Sequence, residues 1–188
     1  MTFHSPFWVL MTLLVFSYSE SFAGTSYVVV EGSAEYKVVH LLKTTHGTSK
    51  SIKGKILCSK LDQDCEFLFA VPTASFDSQN SNRDAHMKAT VKEATHPIAT
   101  ISGQVSDLNH ILSDQKVVVD FAGVKSTYLV NPVTFVHGKR NTLKAQLILK
   151  LSAHQIDRPS LLGASIKDEV PVQIQLTLDS LDVKSNAD

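Results

Sequence analysis

Apolar and polar residues alternate one by one through most of this chain, a period that fits an extended strand and no helix. In 143–151, Leu143, Ala145, Leu147, Leu149 and Leu151 fall on one face, and Lys144, Gln146 and Lys150 on the other. In 170–178, Val170, Val172, Ile174, Leu176 and Leu178 oppose Gln173, Gln175 and Thr177. A helix would scatter each set around its circumference. At lower contrast, Ile52, Gly54, Ile56 and Cys58 oppose Lys53 and Lys55, and Cys65, Phe67, Phe69 and Val71 share a face. Residues 27–31, 36–44, 98–105, 116–121 and 126–136 are further candidates. Turn signals separate them at His46-Gly47, Asp62-Gln63-Asp64, Gly123 and Gly138-Lys139-Arg140-Asn141. The reading is an all-β chain of about eight antiparallel strands, each with one apolar face. Such a sheet must close into a barrel or pack as a sandwich, and about eight strands is the size at which a barrel can hold one small ligand.

One stretch breaks the period. In 80–94, Met87, Val91 and Ala94 recur at helical spacing. Ser81 or Asn82 can cap the start, and Asp84 then sits near the positive end of the helix dipole. Thr95-His96-Pro97 ends the segment, because a residue before proline avoids the helical region. A short helix over about 82–94, inserted in the β chain, is the expectation.

The two cysteines, Cys58 and Cys65, fall on the inward faces of neighbouring strands. A hairpin centred between Leu61 and Asp62 pairs 58 with 65 and 56 with 67, and turns every apolar residue of both strands inward. That register predicts a disulfide; the alternative is two reduced thiols packed as small apolar groups. A disulfide requires an oxidising compartment. Residues 6–16, PFWVLMTLLVF, carry no charge and are too short to span a bilayer, which takes about 20 apolar residues. With Ser21-Phe22-Ala23 behind them they predict a secretory signal over 1–23, cleaved after Ala23 with Ser19 as the alternative site, and a mature domain over 24–188. A buried N-terminal strand or a retained anchor are the competing readings. Export places the mature chain in the periplasm or outside the cell, without stable membrane insertion. Lysine plus arginine and aspartate plus glutamate number 18 each, so the chain lacks the basic stripe that nucleic acid requires.

Several segments then look familiar. Val71-Pro72-Thr73-Ala74-Ser75-Phe76-Asp77-Ser78, Asn82-Arg83-Asp84-Ala85-His86-Met87-Lys88 and His96-Pro97-Ile98-Ala99-Thr100-Ile101 together resemble the central signature of the YceI-like family. Asp120-Phe121-Ala122-Gly123-Val124-Lys125, Ile156-Asp157-Arg158 with Gly163, and Ile166-Lys167-Asp168-Glu169-Val170 resemble its later elements. The resemblance runs from about Tyr36 to Leu178. It implies a lipocalin-like antiparallel barrel that binds polyisoprenoid chains or related amphiphiles in an apolar cavity, commonly in the periplasm. The chain departs from the pattern at Lys92-Glu93-Ala94, where the family usually has two phenylalanines, at Val119-Asp120-Phe121-Ala122, and at Pro159-Ser160-Leu161-Leu162.

The functional expectation is non-catalytic binding or carriage of a polyisoprenoid, isoprenoid quinone or fatty-acyl lipid, with no cofactor of its own. Alternation and helical spacing nominate Ile56, Phe67, Phe69, Met87, Val91, Ile101, Val119, Leu147, Leu149, Ile174 and Leu176 as the wall. Arg83, Asp84, His86, Pro97 and Arg158 match motifs. An arginine paired with an aspartate would pin the helix to the barrel in bidentate geometry, and the alternative is contact with a ligand's polar head. Serine, histidine and aspartate lack a nucleophile elbow, Gly163-Ala164-Ser165 being one glycine short, so no enzyme is expected. The scattered histidines form no metal-binding spacing; His40 is a strand residue, and the others read as turn or helix-edge positions. The competing class is a filled-core interaction module without ligand, and a homodimer is an open possibility.

Overall fold

The computed structural model describes residues 24–109, 115–131, 133–161 and 163–182. The expected signal segment 1–23 lies outside the described residues, as do His110 and Leu162. The strands are β1 (Thr25–Val39), β2 (Thr44–Ser49), β3 (Lys53–Lys60), β4 (Gln63–Pro72), β5 (Ile98–Asp107), β6 (Gln115–Phe121), β7 (Val124–Val130), β8 (Val133–Val136), β9 (Asn141–Lys150), β10 (Ser160–Leu161), β11 (Ala164–Ser165) and β12 (Glu169–Asp182). One helix, α1 (Ser81–Thr90), interrupts them, and 3-10 turns follow β4 and β9. The main sheet runs β7-β6-β5-β4-β3-β1-β12-β9-β8, with β2 on the upper part of β1. It is all-antiparallel and curls into a nearly closed barrel, the lipocalin-like architecture with one short helix. β10 and β11 form a separate hairpin.

The details refine the reading. The piece at 27–31 and the 36–39 part of the next are one strand, β1, with a register shift between Val29 and Glu31 where a long strand bends; the expected strand over 36–44 breaks at the 40–43 turn, and Thr44 opens β2. His46-Gly47 lies inside β2, and the turn falls at Leu41-Leu42. Gly47 is there for another reason: a Cβ at that position would sit 2.4–2.5 Å from the Tyr36 ring. Residues 126–136 divide into β7 and β8. α1 starts one residue earlier than expected because Asn80 is its cap, its side chain accepting from Arg83 N at 2.9 Å. The helix stops at Thr90, and 91–95 continue as turns, with Lys92 in the left-handed region at φ 57°. Ala94, expected on the helix face with Met87 and Val91, is therefore exposed.

The β3–β4 hairpin has the expected register, with Ile56 opposite Phe67 and Cys58 opposite Cys65, and the two sulfurs are bonded. This end of the barrel, the lower end, is filled. Tyr27 and Phe135 meet edge to face with ring centroids 5.4 Å apart, and Phe67 stacks on Phe69 at 5.4 Å. Ile56, Leu108 and Leu178 are fully buried beside them. The Tyr27 hydroxyl donates to Asp62 Oδ1, which closes the floor.

The sheet's two edges meet at a seam between β7 and β9. Asn131 N donates to Gln146 O across it (3.1 Å). Above that point side chains take over, and His154 is their centre. It is 0% exposed. Its Nδ1 faces the carbonyls of Val124 (2.9 Å) and Phe121 (3.2 Å), so Nδ1 carries the proton. Nε2 then accepts from the Tyr128 hydroxyl (2.8 Å), which itself accepts from Lys150 N (3.3 Å). Ser126 Oγ donates to Ala153 O (3.0 Å). His154 thus ties the Phe121–Val124 turn and β7 to the end of β9, a buried role the turn-or-edge reading missed.

Burial raises the pKa of Tyr27, Tyr36 and Tyr128. The Asp62 bond and charge add to the effect at Tyr27, and the Asp84 charge adds at Tyr36. A phenol whose folded pKa exceeds its unfolded value, near 10, contributes stability that is complete below that value. The contribution is lost as pH rises from the unfolded toward the folded value. The urea midpoint should therefore hold from pH 8 to about 9.5 and fall above about 10. Tyr27→Phe should flatten that fall; a midpoint level to pH 11 would contradict the burial of these hydroxyls.

Candidate ligand cavity

Above the filled floor the barrel is hollow. The cavity has a volume of about 470 Å³ and opens at the end where α1, the β1–β2 turn and the 151–168 segment lie. That volume is in the usual range for small-molecule sites, roughly 300–1,000 Å³. Alternation builds its wall strand by strand. Ala34, Tyr36 and Val38 come from β1, Phe69 and Val71 from β4, Ala99 and Ile101 from β5, Val119 and Phe121 from β6, Leu147 and Leu149 from β9, and Val170, Val172 and Ile174 from β12. α1 and the turn after it add Met87 and Val91, while Ile156 and Ile166 close the side above β9.

Of the nominated wall residues, the structure places Phe69, Met87, Val91, Ile101, Val119, Leu147, Leu149 and Ile174 around this space. Ile56, Phe67 and Leu176 point inward too but belong to the filled lower half and do not border the cavity. Alternation tells which face a residue takes, not how far along the barrel axis it sits; strand tilt and stagger decide depth. Tyr36, Val38, Val170 and Val172 were reachable by the same alternation. Phe76, Ile156 and Ile166 come from irregular segments without a local signal.

The motif residues organise the mouth. Arg83 Nε donates to Ser78 Oγ (2.8 Å) and its Nη2 to the Ser78 carbonyl. Buried Asp84 accepts from Ser78 N (3.2 and 3.3 Å) and from the Ser78 hydroxyl. The expected arginine–aspartate pair is therefore replaced: both side chains converge on Ser78 and fix the approach to α1. Adjacent helix positions do not face one another, so an intervening group has to join them. Pro97 holds the end of β4, its carbonyl accepting from Thr73 N at 2.8 Å. His86 and Arg83 border the mouth. Arg158 stands outside it, exposed, with Nη1 3.5 Å from Ile166 O. Its charge, after the hydrogen bonds from Ser152, helps hold the Asp168 carboxyl below the usual carboxylate range. Among the described residues no three histidine, cysteine or acidic side chains gather as a metal ion would require. No helix among them is long and apolar enough to cross a membrane.

A curled antiparallel sheet, filled at one end and hollow with apolar walls at the other, defines a lipocalin-like barrel of the kind that encloses a small ligand. The model of the YceI-like domain matches residues 25–178, and the chain belongs to that family. Two solved structures share the fold. BcnA of Burkholderia cenocepacia superposes with a TM-score of 0.66 at 19% identity, covering 78% of this chain and 95% of BcnA. A polyisoprenoid-binding domain from Saccharophagus degradans, described as implicated in plant cell wall breakdown, gives 0.63 at 14% identity, covering 82% of this chain and 98% of that domain. Among curated proteins none matches this sequence.

Proposed function

We propose that this protein holds the apolar tail of an amphiphile in the barrel cavity and carries or sequesters it without chemistry. Polyisoprenoids, isoprenoid quinones and fatty-acyl lipids are the candidate classes. The observation that carries the reading is the cavity itself, apolar-walled and open at one end of an otherwise filled barrel. Burying a tail there is worth roughly 0.8 kcal/mol per methylene. The shared fold of a polyisoprenoid-binding domain supports the same class of ligand. Two polar groups at the mouth are engaged in structural bonds, Arg83 with Ser78 and His40 with the Ala164 carbonyl, which favours binding over catalysis. A filled-core interaction module fits less well, because the upper half is not filled. The disulfide and the apolar segment at 6–16 support an exported, periplasmic or secreted protein. Cys58, Cys65 and the residues converging on Ser78 serve the frame, while Leu147, Leu149, Ile174, Ile101 and Met87 meet the tail.

Native mass spectrometry of the purified protein, followed by organic extraction, tests this. The expected result is a bound species that extracts as a prenyl or acyl lipid. A clean apo mass, unchanged when prenyl lipids are added, would sink the carrier reading. The same spectra report whether the chain pairs into a homodimer.

A further inference from the structure

A buried tail must reach the cavity without crossing water, and the rim of the mouth bears on how. β1 and β2 join through a tight turn. His40 N donates to Lys43 O (3.0 Å) and Lys43 N to His40 O (3.3 Å), leaving Leu41 and Leu42 at the tip. Leu41 is 84% exposed, more than any other large apolar side chain among the described residues, and Leu42 is 63% exposed. Two-residue hairpin turns favour asparagine, aspartate and glycine, so a leucine pair answers no demand of the turn itself. A local rule broken without a structural gain points to function. The tip is also braced. His40 Nε2–H donates to Ala164 O (2.9 Å), and its Nδ1 accepts from Leu42 N (3.2 Å). The turn is thereby anchored to the β10–β11 hairpin. Leu42 and Lys43 border the cavity, so this exposed apolar tip is part of the mouth.

The turn itself is basic. Lys37 and Lys43 are exposed on the two strand ends. Exposed Lys167 lies beside them, its backbone N donating to Val39 O (2.9 Å). Lys43 is the only Lys, Arg, Asp or Glu of the turn; the carboxylates of Glu35, held by His46 (2.8 Å), Asp168, held by Ser152 (2.6 and 2.8 Å), and Glu169 lie behind it on β1 and at the start of β12. Leucines at a tip with lysines behind them match the apolar boundary and anionic head groups of a bilayer.

We infer that the Leu41-Leu42 tip docks on anionic lipid bilayers and sets the cavity mouth against the membrane, so that the ligand passes between bilayer and lumen. This rests on the carrier reading. The docking is peripheral and reversible, because two leucines are far short of a membrane span.

Vesicle flotation tests it, with protein expressed from the whole chain and purified from the soluble fraction. The vesicles are phosphatidylglycerol with phosphatidylethanolamine, or phosphatidylcholine alone. Wild type should float with the anionic vesicles, less so at high salt. Leu41→Ser with Leu42→Ser should weaken binding at least about tenfold, since burying one leucine is worth that much or more. Leu61→Ser, at a tip 74% exposed on the opposite end, should change nothing. Uptake of a prenyl lipid is measured in parallel from detergent micelles and from vesicles. Leu41→Ser alone, at a side chain outside the cavity lining, should load normally from micelles and slowly from vesicles. Normal loading without flotation by wild type would overturn the docking and leave the carrier reading intact. Leucine-dependent flotation without any loading would uphold the docking and sink the carrier reading. Equal flotation by the double variant, or leucine-dependent dimers in place of vesicle binding, would overturn the docking.

Discussion

Leu149→Arg should abolish lipid uptake. Leu149 is 8% exposed, pairs with Val170 in the β9–β12 register and borders the cavity. A guanidinium placed there loses its hydration among apolar walls, and among the described residues no carboxylate borders the space to pair with it. The chain can escape only by turning the arginine toward the mouth, where it fills the space a tail needs. Binding that depends on methylene burial then falls by several kcal/mol, more than a thousandfold. Because a buried charge also threatens the fold, Ala99→Trp is the companion. Ala99 lines the cavity from β5, and an indole there occupies volume without adding charge. It should reduce retained lipid strongly while leaving the unfolding midpoint near wild type. Unchanged uptake by Ala99→Trp and Leu149→Arg, both folded, would place the ligand elsewhere.

His154→Leu should be the most damaging substitution outside the cavity. It removes the partner that the carbonyls of Phe121 and Val124 share and one partner of the Tyr128 hydroxyl, around an imidazole that is itself wholly buried. Each buried polar group left unpaired costs about 1–3 kcal/mol, so a loss of about 3–5 kcal/mol follows. For a domain of this size that lowers Tm by roughly 10 °C. Tyr128→Phe removes one of these links and should cost about 1–2 kcal/mol. The two substitutions should be less than additive, because they break one network. Additive losses, or His154→Leu within 1 kcal/mol of wild type, would mean the seam is held by something else.

Those two sites differ in how far the residues alone disclose them. Leu149 is legible because a five-residue alternation, Leu143 to Leu151, commits its side to the interior. The hairpin register that joins Cys58 to Cys65 is legible for the same reason: one slip would turn Ile56, Cys58, Cys65 and Phe69 outward, leaving inside Leu57 and Leu68, which the observed register exposes. His154 is not legible. It follows a strand in a short turn with no period, and its partners at Phe121, Val124 and Tyr128 are 26–33 residues away. Gly47 misleads as a turn signal because the demand on it comes from the Tyr36 ring on the neighbouring strand. Arg83 and Asp84 stand out as motif residues, yet their shared partner Ser78 emerges only once the approach to α1 is folded.

The alternation that runs through the chain determined by itself most of the long strands, their inward faces and the all-β class, since side-chain direction in a strand is a local property; it did not disclose β2 or the short β10–β11 hairpin. The breaks in that alternation placed the one helix to within a few residues. Tertiary structure alone decided that the lower half of the barrel is filled and the upper half hollow. Depth along the axis is set by tilt, stagger and the bend in β1, which are properties of the closed sheet and of no single strand. It also decided where the barrel's edges meet and that a buried histidine clasps them.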